Sequence, residues 1–186
     1  MLDEMIVDAD ICIKLGGSDK YRFLEQLLPK ISRTIYIHKY TRSEVMMPPS
    51  AKHQLDTLVS EGQVCVLDEA SLTSAELTVY NMAYDTLARV MIDSSRPRKN
   101  KGEVCALSMA QAKMIPIFAT DEKQLQPIID RLLNTGNHDI TCLRITDIVE
   151  KVQNGEIEGI SRKEAKALWR IAGKDKDVFD STIWPL

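Results

Sequence analysis

Five short apolar runs, most of them rich in β-branched residues, alternate with segments of helical periodicity. The runs cover residues 5–8, 34–38, 63–67, 115–119 and 140–145. Each is too short for a helix and shows little polar alternation, which is typical of strands buried on both faces. Helical spacing occupies residues 20–31, 41–47, 51–61, 72–92, 103–113 and 122–133. The pattern predicts an α/β domain over about residues 1–150, with a mainly parallel central sheet.

The last part of the chain, residues 151–186, follows a different pattern. The segment SRKE at 161–164 predicts the start of a short helix, and Trp169, Phe179 and Trp184 stand in otherwise polar sequence. We therefore predict a C-terminal helical extension over residues 151–186. It either packs back on the domain or serves as a docking segment for a partner protein.

Composition and charge exclude several classes of protein. The 186 residues are 44% hydrophobic and 27% charged, which argues against disordered and collagen-like chains. With 24 Lys+Arg against 27 Asp+Glu, the net charge of −3 argues against a protein that wraps duplex DNA by charge alone, although it permits a local basic patch.

No apolar run reaches the roughly 18 residues of a membrane span. The acidic start MLDEMIV is unlike a secretory signal. We expect a cytoplasmic protein without membrane contact.

Cysteine and histidine spacing gives no indication of a disulfide framework or a zinc site. Three of the four cysteines lie in apolar runs and are expected to be buried, reduced thiols: Cys12, Cys65 and Cys142. The histidines are isolated and are expected to be surface or loop residues: His38, His53 and His138.

Two aspartates close predicted strands. Asp8 ends the first strand and Asp121 ends the fourth. Chemistry in an open parallel sheet gathers beyond the carboxyl ends of its strands, so two residues far apart in sequence can be neighbours there. Alternatively, each aspartate begins the next helix, where the dipole favours a negative charge by about 0.3–1 kcal/mol.

Two glutamates lie at predicted helix starts. Glu44 closes the capping-box pattern TRSE at residues 41–44, and the same kind of pattern occurs twice more in the chain. Glu103 follows Gly102, with Asn100 as a candidate N-cap. Taken singly, both glutamates are explained by capping and by the helix dipole.

The four acids together suggest metal chemistry. They are all predicted at one rim of the sheet, where clustered carboxylates repel one another unless a cation neutralises them. Oxygen ligands of this kind suit Mg²⁺ or Mn²⁺. The four residues of this acidic rim are Asp8, Glu44, Glu103 and Asp121.

Three segments, in their order and spacing, resemble the PIN-domain family of metal-dependent ribonucleases, which includes the VapC-like toxins. They are VDADICIKL, YTRSEV and KGEVCALSMAQAKMIPIFATDEKQL, and together they cover residues 1 to about 145. The resemblance implies a three-layer α/β/α sandwich with a five-stranded parallel sheet and a divalent-metal nuclease centre. It also implies an endoribonuclease that requires Mg²⁺ or Mn²⁺.

When the family's motifs are matched to this sequence residue by residue, the acidic rim takes the place of the catalytic and metal-binding cluster. The match makes Thr120 the hydroxyl beside this cluster. We predict that Asp8 and Asp121 bind the metal directly, and that the other two acids of the rim bind the metal or its waters. Asp10 stands where the family often carries Asn or Ser, and it either adds a ligand or orients one. Glu122 stands where further acids are common. The C-terminal extension has no counterpart in the short VapC-like toxins.

The resemblance also implies partners. RNA is the expected substrate, and RNA is favoured over DNA through the family alone. Four basic residues precede Glu103 and either follow a nucleic-acid backbone or form a solvated loop: Arg96, Arg98, Lys99 and Lys101. An antitoxin-like protein could bind through the C-terminal extension, with Trp169 and Trp184 as contacts, and the chain could form a homodimer.

The sequence also permits two other functions. Asp8-Ala-Asp10 also fits the D-x-D start of haloacid-dehalogenase-type phosphatases, in which the first Asp is a nucleophile. That family expects Thr or Val in place of Cys12 and a later Gly-Asp-x-x-x-Asp, which the chain lacks. The domain could also be an inactive binding module whose acids serve only as caps.

Overall fold

The computed structural model describes residues 1–185, which contain one five-stranded sheet. Every neighbouring pair of strands is parallel, and the strand order is β3-β2-β1-β4-β5. The strands are β1 (Leu2–Val7), β2 (Ser32–His38), β3 (Cys65–Leu67), β4 (Ile117–Ala119) and β5 (Thr141–Leu143). All five correspond to apolar runs that were predicted as strands.

Ten α-helices connect and follow the strands in the described part of the chain. They are α1 (Ala9–Leu15), α2 (Phe23–Ile31), α3 (Lys39–Glu44), α4 (Pro49–Ser60), α5 (Ser74–Met91), α6 (Lys101–Lys113), α7 (Leu125–Leu132), α8 (Ile145–Gln153), α9 (Arg162–Ile171) and α10 (Lys176–Val178). A 3₁₀ turn, Glu69–Ser71, precedes α5, and a π-helical turn, Phe179–Ile183, follows α10. Among residues 1–185, no helix has both the length and the apolar character needed to cross a bilayer.

The helices cover both faces of the sheet. In the central strand β1, Met5 and Val7 belong to one apolar core and Ile6 belongs to the other. Helices α1, α2, α4, α8 and α9 contribute to the first core, and α5, α6 and α7 contribute to the second. The molecule is therefore a three-layer α/β/α sandwich, which confirms the predicted fold class.

The C-terminal extension packs back on the sandwich. Leu168, Trp169 and Phe179 join the core that Met5 and Val7 form, and Trp169 is only 4% exposed. Its indole N–H donates a hydrogen bond to the carbonyl of Asp175 over 2.6 Å. Trp169 is therefore not an exposed contact for a partner. Its position is explained by α9, where Ala165, Leu168 and Trp169 are spaced to lie on one buried face.

Two of the predictions for single residues were wrong. His38 is not a surface or loop residue, because it ends β2 and is 2% exposed. Cys65 is exposed and not buried, because it lies on the short edge strand β3, whose residues are exposed or half-buried. Cys142 is half-buried, whereas Cys12 is buried as expected.

The capping boxes also differ from the sequence pattern. Those at Thr73 and Ser161 form. The segment TRSE at residues 41–44 forms none, because α3 begins earlier and has His38 as its N-cap. Asn100 precedes α6, but its side-chain amide donates to the Met91 carbonyl over 2.9 Å instead of capping the helix.

Candidate active site

The strand order reverses between β1 and β4, and the two predicted aspartates, Asp8 and Asp121, lie at this point. Ligands of open parallel sheets bind outside the carboxyl ends of the strands where such a reversal occurs. Val7 and Ala119, the last residues of the two strands, are register partners. The amide of Asp8 donates to the Ala119 carbonyl over 2.9 Å. Asp8 on one side, and Thr120 and Asp121 on the other, therefore share one edge of the sheet.

Asp8 is a buried carboxylate with hydrogen bonds but no basic partner. It is 1% exposed, and its oxygens accept the Ala9 amide at 2.7 Å and the Thr120 hydroxyl at 3.2 Å. Burial, followed by the charge of Glu103, raises the pKa of Asp8 to about 8. The hydrogen bonds act in the opposite direction and do not offset these effects. Asp8 is therefore protonated at neutral pH unless a bound cation displaces the proton.

Glu44 and Glu103 come from the end of α3 and the start of α6. Burial raises the pKa of Glu103, and the charges of Asp10 and Glu122 add to this. Burial and then Glu103 raise the pKa of Glu44 to about 7. Asp8, Glu44 and Glu103 are called the carboxylate cluster below. Within the described chain, none of the three forms an ion pair.

Gly102 allows the Glu44 carboxylate to reach the cluster. A Cβ atom on Gly102 would lie 1.8 Å from Oε2 of Glu44, so any larger residue would displace this carboxylate. The Thr41 hydroxyl donates to the Gly102 carbonyl over 3.0 Å and ties α3 to α6. The residues of the TRSE pattern therefore hold the site together instead of capping a helix.

Asp121 has a different environment from the carboxylate cluster. The Nζ atoms of Lys14 and Lys174 each lie 3.0 Å from its Oδ2, and its side chain is 4% exposed. The Ile145 amide donates to its Oδ1 over 3.3 Å. Two ammonium groups therefore compensate the charge of Asp121, and one of them comes from the C-terminal extension.

These two lysines are site residues that the sequence interpretation missed. Lys14 lies four residues after Asp10 on α1 and also pairs with it over 2.9 Å, so the spacing offered a signal. Lys174 follows α9 and has no local signal, because only the packing of the extension brings it to Asp121.

The supporting acids and the basic segment surround the cluster unevenly. Glu122 is exposed, and its amide donates to the Thr120 hydroxyl over 3.2 Å. Lys99 lines a cavity of about 300 Å³ together with Glu103 and Glu122. Lys101 instead extends over the ring of Tyr40, with its Nζ 4.9 Å from the ring centroid.

The two arginines of the basic segment lie further out. Arg96 and Arg98 are both exposed, and the Arg96 Nε lies 3.8 Å from Oδ2 of Asp93. Only part of the predicted nucleic-acid-binding run therefore borders the carboxylates.

The donor set fits a hard divalent cation in charge and in ligand type. Carboxylate oxygens without a positive partner are the ligands that Mg²⁺ and Mn²⁺ prefer, and the cation would remove their repulsion. In residues 1–185, no group of three or more His, Cys, Asp or Glu side chains is arranged to hold a metal ion. A cation held by these carboxylates would require them to lie closer together than they do in this structure.

No family model matches the chain, and no curated protein matches it. Among solved structures, it is similar to the crystal structure of VapBC2 from Rickettsia felis bound to a DNA fragment from their promoter. The TM-score is 0.46 at 14% sequence identity, over 76% of this chain and 98% of that chain.

Proposed function

We propose that the chain is a nuclease that requires Mg²⁺ or Mn²⁺ and hydrolyses phosphodiester bonds within RNA. One observation carries the proposal. Asp8, Glu44 and Glu103 come from three separate elements and are near enough for the charge of Glu103 to raise the pKa of the other two. No basic side chain in the described chain forms an ion pair with them. Carboxyl groups whose pKa values are raised by burial and by one another are typical of functional sites.

Asp8, Glu44 and Glu103 would hold the cation, with Asp10 beside them. The bound cation supplies an acidified water and positive charge for the phosphate oxygens. The protein's own groups do the positioning. The Thr120 hydroxyl fixes one oxygen of Asp8, and Gly102 leaves room for the Glu44 carboxylate.

Asp121 has an indirect role in this proposal. It holds Lys14 and Lys174 at the edge of the carboxylate cluster, where two ammonium groups can neutralise a phosphate. This differs from the prediction from the sequence, in which Asp121 binds the metal directly. The role of Asp121 is thus to position two cationic groups.

RNA as the substrate and an antitoxin-like partner are parts of the proposal that rest on the sequence resemblance. The buried Trp169 is not available to such a partner, whereas Trp184 is half-buried. A partner that binds the C-terminal extension would therefore contact Trp184 and not Trp169.

The test is a cleavage assay on single-stranded RNA in Mg²⁺, Mn²⁺ or EDTA. We expect cleavage in either metal and none in EDTA. We expect a loss of at least about 100-fold in Asp8→Asn and in Glu103→Gln, because even groups that support metal ligands contribute 10–100-fold. The matched control is Glu61→Gln, which changes an exposed acid remote from the site. Cleavage in EDTA, or full activity in Asp8→Asn, would refute the proposal.

A further inference from the structure

The structure contains a cavity of about 550 Å³ whose lining comes in part from two helices of the carboxylate cluster. Its lining includes Tyr40 on α3, which also carries Glu44, and Lys101 on α6, which also carries Glu103. The volume lies within the range of about 300–1,000 Å³ that is usual for ligand sites. The cavity therefore has the size of a ligand site.

His38 lines this cavity and carries a hydrogen-bond donor that has no partner in the described chain. Its Nδ1 accepts the Tyr40 amide over 3.1 Å, which places the ring proton on Nε2. Within residues 1–185 the buried Nε2 has no hydrogen-bond partner, and Oε1 of Glu69 lies 3.7 Å away, beyond hydrogen-bonding distance. A buried donor of this kind is costly to leave unpaired. An acceptor on a ligand would satisfy it.

Glu69 places acceptors beside this donor. Its side chain is 49% exposed, and its Oε1 accepts the Tyr80 hydroxyl over 2.9 Å. The rest of the carboxylate is free to accept from a ligand. The cavity thus offers one N–H donor next to a carboxylate, and its ligand should present an acceptor next to donors.

Aromatic rings and lysines complete the lining. The Tyr80 ring stacks between His38 and Tyr84, with centroid distances of 6.2 Å on each side. Tyr84 is half-buried, so part of its ring is available to the cavity. Lys39 and Lys101 also line it. A flat ring that carries a phosphate suits such a lining, because bases stack on aromatic side chains and lysines attract the backbone.

We propose that this cavity binds one unpaired base of a single-stranded nucleic acid, with guanine preferred. Guanine presents an acceptor, O6, beside two donors, N1–H and N2–H, and this matches the His38 donor and the Glu69 carboxylate. The inference rests on the proposed function, because the base would be held by residues of the two helices that carry Glu44 and Glu103. It deepens that function by naming a base preference.

The test measures binding without cleavage. Fluorescently labelled RNA hexamers UUUGUU, UUUAUU and UUUUUU are titrated with the protein in EDTA, and binding is followed by anisotropy. We expect UUUGUU to bind at least about 10-fold more tightly than the other two. Glu69→Gln should abolish this difference, and Tyr84→Ala should weaken the binding of UUUGUU.

Two exposed residues outside the cavity provide matched controls, Glu61→Gln and Met82→Ala. Both should bind like the unmodified protein. Equal binding of the three hexamers, or variants of Glu69 and Tyr84 that match the controls, would overturn the inference.

The two proposals fail separately. A protein that cleaves RNA in Mn²⁺ but binds the three hexamers equally retains the nuclease proposal and loses the base pocket. A protein that discriminates guanine in EDTA but cleaves nothing in Mn²⁺ retains the base pocket and loses the nuclease proposal.

Discussion

Replacing Asp8 by asparagine tests whether the charge of the carboxylate cluster is uncompensated in the metal-free protein. The substitution removes the charge and preserves the shape. The asparagine oxygen can still accept the Ala9 amide, and its amide group can donate to the Thr120 hydroxyl. Any change in the pH dependence of stability therefore reports on the ionisation of residue 8.

The sign follows from the direction of the pKa shift. The pKa of Asp8 is raised from 3.8 to about 8 in the folded protein. Between these values the folded state holds a proton that the unfolded chain has lost, so the free energy of unfolding falls as the pH rises. One proton changes it by about 1.4 kcal/mol per pH unit. From pH 5 to pH 7, Asp8 should therefore lower the free energy of unfolding by about 3 kcal/mol.

The measurement is urea unfolding, followed by circular dichroism, at pH 5, 6 and 7 in EDTA. The difference in stability between Asp8→Asn and the unmodified protein should grow in favour of the variant by about 3 kcal/mol across this range. Glu44, whose pKa is also raised, remains in both proteins and contributes to both curves. Mn²⁺ at pH 7 should stabilise the unmodified protein more than the variant. Parallel pH profiles for the two proteins would refute the reasoning.

Three further substitutions test other contacts. Gly102→Ala puts a Cβ atom 1.8 Å from the Glu44 carboxylate. Calorimetry should show that the affinity for Mn²⁺ falls by about 10–100-fold. An unchanged affinity would contradict the placement of Glu44. Lys174→Met removes one of the two partners of Asp121 and should lower the free energy of unfolding in urea by about 1–3 kcal/mol. The control Lys176→Met, at an exposed site, should leave the free energy of unfolding unchanged. Trp169→Ala should lower it by about 3–5 kcal/mol; a loss near zero would show that α9 does not pack on the core.

The sheet could be predicted from the sequence because its signal is local. Each strand is a short apolar run, and the alternation of β and α segments implies a layered α/β fold. Helix α1 was missed, because it begins directly after β1 and its apolar residues merge with that run. Helix α8 was missed for the same reason, since it begins two residues after β5.

The candidate site was predictable only where chain position determines placement. Asp8 and Asp121 follow strands, so their place at one edge of a parallel sheet follows from topology. The pairing of Asp121 with Lys174 depends on how the C-terminal extension packs, and no local pattern encodes this. His38 was misjudged because an isolated histidine carries no periodic signal, although β2 buries it and α3 uses it as N-cap.

The contact between Lys174 and Asp121 also has a consequence for the order of events during synthesis. The sheet strands and every acid of the rim are made before residue 174. Until the C-terminal extension docks, Asp121 has one of its two ammonium partners, and the edge of the sheet carries one more uncompensated negative charge. A nascent chain at this stage should therefore repel phosphate more strongly than the finished protein does. The site would gain its full affinity for a polyanion only after nearly all of the described chain has been made.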